Sequence, residues 1–166
     1  MPQPDPAPEQ SLAGSISIRA ATVADLPTLL HHRRMMWWDM GRRDEAALAL
    51  MQQAAQRYFT AAVPEGSYRG FLAVDGSGNV LGGGGIVVSA WPGILGQPEP
   101  RRAMILNLYV EREHRRRGIA RALMQAMIAW CRQNGFVTVG LHASDDGRPL
   151  YEQLGFKRTN EMALEL

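Results

Sequence analysis

The hydrophobic pattern changes period several times along the chain, and each change marks an element. Ser15 to Arg19 (SISIR) alternates and is β-branched at every second position, which predicts a short strand. From Thr22 the apolar positions take helical spacing: Leu26, Leu29 and Leu30 share a face, Thr22 serves as N-cap, Asp25 sits where a capping-box acid belongs, and Gly41 ends the run. A second helix is predicted over Arg43–Val63 and stops at Val63-Pro64-Glu65-Gly66. A hairpin follows, with strands at Phe71–Val74 and Val80–Ser89 around a turn at Asp75–Asn79. Trp91–Pro100 reads as a loop and Arg101–Val110 as a long apolar strand. The helix opened by Gly118 carries Ile119, Leu123, Met127 and Trp130 on one side, with Ala120, Met124, Ile128 and Cys131 beside them, and Gly135 as its stop. Phe136–Ala143 is predicted as a strand, Gly147–Phe156 as a short helix ended by Gly155, and Asn160–Leu166 as a final strand. Strands and helices mix with hairpins and no repeat is present, so the expected fold class is a three-layer α+β or α/β domain.

A length of 166 residues suits one domain, with residues 1–14 as a flexible proline-rich tail and residues 15–166 as the folded unit. The tail carries acid rather than a basic start before an apolar run, so neither a signal peptide nor a membrane span is expected, and the cytoplasm is the default compartment. The single cysteine, Cys131, excludes an internal disulfide, and no Cys/His spacing resembles a zinc site; it reads as a small buried hydrophobe in a reducing compartment. A formal net charge of +2 is too small to suggest a nucleic-acid binder.

The charge is instead concentrated. Arg115, Arg116, Arg117 and Arg121 lie between the apolar strand and the helix that Gly118 opens. A helix start presents unpaired N–H groups and a partial positive charge, which suit a phosphate or pyrophosphate. Gly118 and Ala120 leave the backbone approachable, and the arginines add charge-assisted donors. A solvated charged turn is the alternative; the order strand, basic loop, glycine, helix favours the anion seat. The four glycines Gly82–Gly85 do not make a second one, because no helix follows and the G-x-G-x-x-G spacing is missing. Glycines inside a strand predict a bulge or the close approach of another group, whose identity stays open.

Arg115-x-x-Gly118-x-Ala120, directly after Leu108-Tyr109-Val110, resembles the acetyl-CoA motif of the GNAT acetyltransferase superfamily, Arg/Gln-x-x-Gly-x-Gly/Ala. LHASDDGRPLYEQLGF resembles that superfamily's second motif, and ISIRAATVADLPTL its opening. The resemblance covers nearly all of the chain after the tail. It implies a three-layer GNAT fold: a mixed, mostly antiparallel sheet with helices on both faces, whose splayed parallel central strands, Arg102–Val110 and Phe136–Ala143 here, make a cleft for the pantetheine arm. It further implies acetyl-CoA as co-substrate, with backbone N–H groups near Leu108 and Tyr109 facing the thioester carbonyl as oxyanion donors. Val110 would pair with the pantetheine, and the loop and helix start from Arg115 through Arg116, Arg117, Gly118, Ile119 and Ala120 to Arg121 would seat the pyrophosphate. Ser144 stands where many relatives carry an asparagine that contacts the cofactor arm, and serine keeps one donor.

By the same resemblance Tyr151 faces the departing thiolate as the catalytic residue. Proton transfer from a tyrosine near pKa 10 to a thiol near 8.5 is uphill by about 2 kcal/mol, so hydrogen bonding to the developing thiolate with late transfer is the expected role. The alternative is that its ring only packs against the cofactor.

The base and the acceptor are less marked. An α-amino group near pKa 7.8 is about one-seventh neutral at pH 7, whereas a lysine-like amine near 10.4 is about one part in 2,500 neutral, so the need for a base depends on the acceptor. Some GNAT enzymes carry a glutamate in the fourth strand; here Met104 aligns with it, which points to a water-mediated route or a remote base. Remaining candidates are His142 beside the cleft, weighed against a structural histidine, and His31, His32 and Asp39 on the first helix, which often helps form the acceptor side. Met35, Met36, Trp37, Trp38 and Met40 are pocket or core residues, and Glu65 a loop acid or a solvated turn residue.

The leading expectation is an acetyl-CoA-dependent N-acetyltransferase acting on a primary amine of a small molecule or peptide by direct attack on the thioester. A GNAT-fold module that binds coenzyme A without catalysis is the alternative. Nucleic-acid binding through the arginines is disfavoured, since no aromatic residues interleave with them. Neither metal nor membrane is expected as a partner; many relatives form dimers, so a homodimer is allowed.

Overall fold

The structure, a computed structural model, describes residues 16–164. The expected tail over residues 1–14 lies outside the described residues. Strand β1 (Ser17–Ala20) leads through a single 3₁₀ turn into α1 (Leu26–Asp39), followed by α2 (Glu45–Glu65), β2 (Tyr68–Val74), β3 (Val80–Ala90) and β4 (Arg101–Val110). A second 3₁₀ turn (Arg112–His114) precedes α3 (Ile119–Gln133), β5 (Val139–Leu141) and α4 (Arg148–Gln153). The strands lie in sequence order in one five-stranded sheet. The first four are antiparallel neighbours, and β4 and β5 are parallel.

Local chemistry explains most boundaries. The Asp25 carboxylate accepts the Thr22 backbone N–H at 2.8 Å and both Arg19 guanidinium nitrogens at 2.8 and 2.9 Å, fixing the turn between β1 and α1. The arginine first, and then the Thr22 donors, hold its pKa down to about 2 although burial works against them. Asp44 Oδ1 accepts the N–H groups of Ala46 and Ala47 and caps α2. That helix does not stop before Pro64 as expected. It continues to Glu65, with Phe59 and Ala62 buried under its last turns, and ends only at Gly66, whose φ is +81°. Burial of that face outweighs the one backbone bond proline forfeits.

Two further expectations are corrected. The strand over Phe136–Ala143 forms only at Val139–Leu141, because Phe136 belongs to the end of α3. Its N–H donates to Cys131 O at 3.0 Å while Gly135 N–H donates to Arg132 O at 3.2 Å, the paired bonds of a Schellman terminator. Its ring stacks beside Trp130 and under the Arg101 guanidinium. The final strand does not form within residues 160–164: Met162 and Leu164 alternate, but both are exposed and no neighbouring strand receives them. Residues 165 and 166 lie outside the described residues. Among the described residues the parallel pair β4–β5 therefore sits at one side of the sheet rather than at its centre.

Each sheet face carries its own core. Helix α3 buries Ile119, Leu123, Met124 and Met127 against Phe71, Ala73, Ile86, Ala103 and Ile105. On the opposite face α1 and α2 bury Leu29, Ala55, Phe59 and Ala62 against Tyr68, Leu72 and Val74. The layers are thus helices, sheet, helix, as expected.

Candidate active site

Strand β4 is interrupted where the two cores meet the open side of the sheet. Gly83 pairs with Tyr109 and Gly85 with Leu106, so Asn107 and Leu108 together stand opposite Gly84. This is a β-bulge, and its first residue, Asn107, has φ +59°, a left-handed conformation that asparagine tolerates better than most residues. The bulge also reverses the alternation of the strand. Before it, Ala103 and Ile105 face α3; after it, Leu108 and Val110 do. Leu106 and Asn107 consequently look to the same side, toward α1 and α2.

Beyond the bulge the strand has an open edge. The β4–β5 ladder runs from Ala103–Val139 to Ile105–Leu141 and then ends, while β4 continues five residues further to Val110. Two parallel strands separating at a bulge leave unpaired backbone N–H and C=O groups along one of them. The expected splay is therefore present, and it begins at Leu106.

The glycines of β3 make this packing possible, and they identify the approaching groups. A side chain at Gly85 would collide with the Tyr68 ring, and one at Gly83 would meet His32 Nδ1 at 3.0 Å. Tyr68 is fully buried there, which pushes its pKa up to about 12, and its hydroxyl receives a hydrogen bond from Asn107 Nδ2 at 3.3 Å. On its other side Asn107 Oδ1 accepts from Arg33 Nη1 at 2.7 Å. Asn107 is thus a bulge residue held by two elements.

The loop after β4 leads to the helix start that the arginines surround. Gly118 has φ +80° and precedes the first residue of α3; Ala122 N–H bonds back to Gly118 O at 3.0 Å, which leaves the amides from Gly118 to Arg121 without helical acceptors. Arg116 has φ +63° and is exposed with Arg117. The arginines differ in what they touch. Arg115 donates through Nε to Val110 O at 2.9 Å and through Nη2 to Asp39, and its guanidinium lies over the Tyr109 ring. Arg112 also donates to Asp39. Burial would raise the Asp39 carboxyl, but the two arginines outweigh it and leave the pKa below the usual value. Asp39 therefore ties the end of α1 to the loop. Arg117 meets His114 Nδ1 at 3.1 Å, and Arg121 donates to Gln153 on α4.

The other residues singled out by sequence fall in distinct places. The side chains of Ile119 and Tyr109 are buried, so only their backbone can meet a ligand. Ser144 Oγ accepts Gly147 N–H at 3.2 Å and so helps start α4. Tyr151 on α4 packs against Phe156 and the α3-side core, and burial pushes its phenol pKa up. His142 is exposed, 3.5 Å from Glu161. Glu65 is an exposed helix end, and Met104 lies over Gly140 of β5. Met35, Met36, Trp37 and Trp38 are half-buried, whereas Met40 is exposed. His32 is buried, with Nε2 3.4 Å from Glu111 Oε1, and burial, then the neighbouring His31, lowers its pKa to about 4. Glu111 also meets His31 Nε2 at 3.1 Å.

Sequence reasoning missed Asn107, Arg33 and Glu111. The one available signal was an asparagine inside an apolar strand, a residue that favours turns and left-handed φ over ladders. Among the described residues no group of three His, Cys, Asp or Glu could hold a metal ion, and no helix is long and apolar enough to cross a membrane.

Comparison with known proteins fits this geometry. The family model of the acetyltransferase (GNAT) family matches residues 32–156. The mouse protein "Probable N-acetyltransferase family 8 member 5" is 32% identical over 99 residues, covering 56% of this chain and 44% of its own length. Human "N-acetyltransferase 8" is 34% identical over 64 residues, 37% of this chain and 28% of that protein. The chain thus spans less than half the length of these curated relatives. A GCN5-related N-acetyltransferase from Ralstonia eutropha JMP134 superposes with a TM-score of 0.84 at 34% identity, covering 92% of this chain and 99% of that one. A predicted acetyltransferase with acetyl-CoA from Clostridium acetobutylicum shares the fold with a TM-score of 0.80 at 24% identity, over 91% and 95% of the two chains. A bulged, splayed β4 running into a glycine-opened helix, and a family match across three quarters of the sequence, have one reading: this chain belongs to the GNAT acetyltransferase family.

Proposed function

We propose that the chain is an acetyl-CoA-dependent N-acetyltransferase that moves the acetyl group to a primary amine of a small molecule or peptide by direct attack on the thioester. The observation that carries this reading is the succession of the bulge, the open β4 edge from Leu108 to Val110 and the helix start, where the amides from Gly118 to Arg121 lack helical acceptors; between them the amides of Glu111, His114 and Arg115 are already spent on backbone carbonyls. Acetyl-CoA supplies an activated acyl group on a thiol leaving group.

The chain's part is binding and charge. Amides at the bulge, near Leu108 and Tyr109, face the carbonyl oxygen, where an aimed N–H stabilises charge as the amine nitrogen bonds to the carbonyl carbon. Val110 extends the pairing to the pantetheine, although its carbonyl already accepts from Arg115. The amides from Gly118 through Ile119 and Ala120 to Arg121 hold the pyrophosphate, with Arg116, Arg117 and Arg121 adding charge around them. Arg115 serves both this loop and Asp39, so its role includes bracing the seat. Ser144 keeps one hydroxyl donor for the cofactor arm while its oxygen accepts the Gly147 N–H just before α4.

As the C–S bond breaks, the sulfur gains charge and the attacking nitrogen must lose a proton. Tyr151 donates a hydrogen bond to that sulfur. Its raised pKa makes complete transfer more uphill than in water, which supports stabilisation first and proton transfer late. No acid occupies β4 itself, so the ammonium proton leaves through water or to a base outside that strand. The compartment consistent with the free, buried Cys131 is a reducing one such as the cytoplasm.

The test is calorimetry with acetyl-CoA followed by thiol release over a panel of amines. Gly118→Glu should weaken acetyl-CoA binding by at least about tenfold, because it brings an anion and a Cβ to a positive-φ anion seat. Tyr151→Phe should leave that affinity within a few-fold while lowering turnover by about 10²–10⁴. Undiminished turnover would remove Tyr151 from the chemistry, and acetyl-CoA binding without transfer to any amine would favour the non-catalytic module.

A further inference from the structure

A cleft of about 400 Å³ opens on the α1–α2 face of the sheet beside the bulge. Its size falls within the roughly 300–1,000 Å³ of small-molecule sites. Met51, Ala55, Phe59, Val87 and Leu106 give it apolar walls, Tyr58 stands half-exposed at its rim, and Arg33 and Asn107 supply the polar groups at its bulge end. Among the described residues no carboxylate lines it.

Arg33 is the unusual member. It projects from α1 and is half-buried, and its one hydrogen bond among the described residues goes to Asn107 Oδ1, 2.7 Å away. Its neighbour Arg34 pairs with Glu45, and Arg112 and Arg115 share Asp39, but Arg33 pairs with no carboxylate among the described residues. Burial lowers its pKa, yet a guanidinium remains charged at neutral pH. A half-buried cation with one neutral acceptor has most of its donor capacity unused. Groups of this kind are costly unless a counter-charge reaches them.

We propose that this cleft seats the acetyl acceptor, and that the acceptor is a small amine carrying a carboxylate, such as an α-amino acid with an apolar side chain. This deepens the N-acetyltransferase reading above and rests on it. The Arg33 guanidinium takes the carboxylate in its fork, and the apolar side chain lies against Met51, Phe59 and Val87. Asn107 joins Arg33 to the bulge, so an amine a bond or two from that carboxylate is delivered beside Leu108, where the carbonyl is expected. A single cation matches one carboxylate. With no acid in the lining, a second amine on the acceptor would find no partner, which turns the cleft against polyamines. Arg33 touches the substrate by charge and takes no proton, so it is a specificity residue.

The experiment compares L-phenylalanine with phenethylamine, which share ring and amine and differ by the carboxylate. Wild-type protein should show kcat/KM about 10- to 100-fold higher for phenylalanine, the ratio expected of one charge-assisted contact. In Arg33→Gln that ratio should collapse to within about threefold, and Arg33→Lys should restore part of it, since a lysine keeps the charge without the fork. Equal use of both amines by the wild type, or an unchanged ratio in Arg33→Gln, would overturn the proposal. Binding of 3-phenylpropionate, a carboxylate with no amine, is measured in parallel by calorimetry with coenzyme A present. It should be measurable in the wild type and weakened at least about tenfold in Arg33→Gln. If no amine is acetylated but this Arg33-dependent binding persists, the carboxylate site stands and the catalytic reading falls. If amines are acetylated but 3-phenylpropionate does not bind the wild type, the enzyme stands and the carboxylate site falls, even where the Arg33 variants do not fold.

Discussion

Among single residues, His32 couples burial to pH most directly. Its ring is buried on α1 between β3 and Tyr109, and Gly83 leaves the room it occupies. Among the described residues Nδ1 has no hydrogen-bond partner, while Nε2 faces Glu111, which is the arrangement of a neutral imidazole with its proton on Nε2. The folded pKa near 4 lies below the ordinary value of 6.5. The unfolded chain thus takes up a proton from about pH 6.5 downward and the folded chain only near pH 4, so stability falls as the pH drops through that window. The full shift corresponds to about 3 kcal/mol, a ceiling because the Glu111 carboxylate pulls the other way. Denaturant unfolding at pH 7, 5.5 and 4.5 should show this slope in the wild type and a flatter one in His32→Gln. Asp25, held near 2, acts in a separate and lower window: its contribution is present above about pH 3.8 and is lost as the pH falls toward 2. A slope between pH 6.5 and 4 that survives His32→Gln would move the effect to another group. None of this was visible in the pair His31-His32, because two adjacent histidines on a helix differ in burial only through what packs over them.

For the elements, the bulge in β4 is the feature on which the site turns. The sequence pattern predicts a continuous strand there, and the strand's length and position are as expected. Its alternation is not, since one inserted residue transfers Asn107 to the α1–α2 face and Leu108 to the α3 face. Two substitutions separate backbone strain from side-chain bonding. Asn107→Gly accepts φ +59° freely but loses the bonds to Arg33 and Tyr68; Asn107→Val loses the same bonds and also strains the backbone. Valine should therefore be less stable than glycine by about 1–2 kcal/mol in denaturant unfolding, the cost of a left-handed conformation. Equal stability would mean that the bulge shifts or dissolves when asparagine is removed. The other departures also follow from neighbours. Phe136 opens the strand that the sequence pattern predicts, yet the glycine-terminated helix claims its N–H and its ring, a packing decision that local periodicity does not contain. Pro64 halts a helix in isolation but not one anchored by Phe59 and Ala62.

Across the whole molecule, the sheet divides the protein into an α3 side, where the proposed pyrophosphate seat lies at the helix start, and a cleft side under α1 and α2. The antiparallel strands β2, β3 and β4 carry both cores, while β5 is held by three residue pairs at one side. Native-state hydrogen exchange should reflect this, with amides of Leu72, Ala73 and Ile86 the slowest and those of Val139–Leu141 at least about a hundredfold faster. Comparable protection in β5 would indicate that another strand covers its outer edge. The sequence alone determined what short-range physics can specify: the helices through their periodicity and caps, the hairpin through its turn, and the helix start ringed by arginines, since each depends on residues close along the chain. Tertiary structure decided which faces those elements present. The Arg33–Asn107 contact joins residues 74 positions apart, and Asn107 reaches Tyr68 only because a bulge shifts the register and a glycine on β3 makes room for the ring. Register and burial are properties of the assembled sheet, and no local pattern of hydrophobic and polar residues carries them.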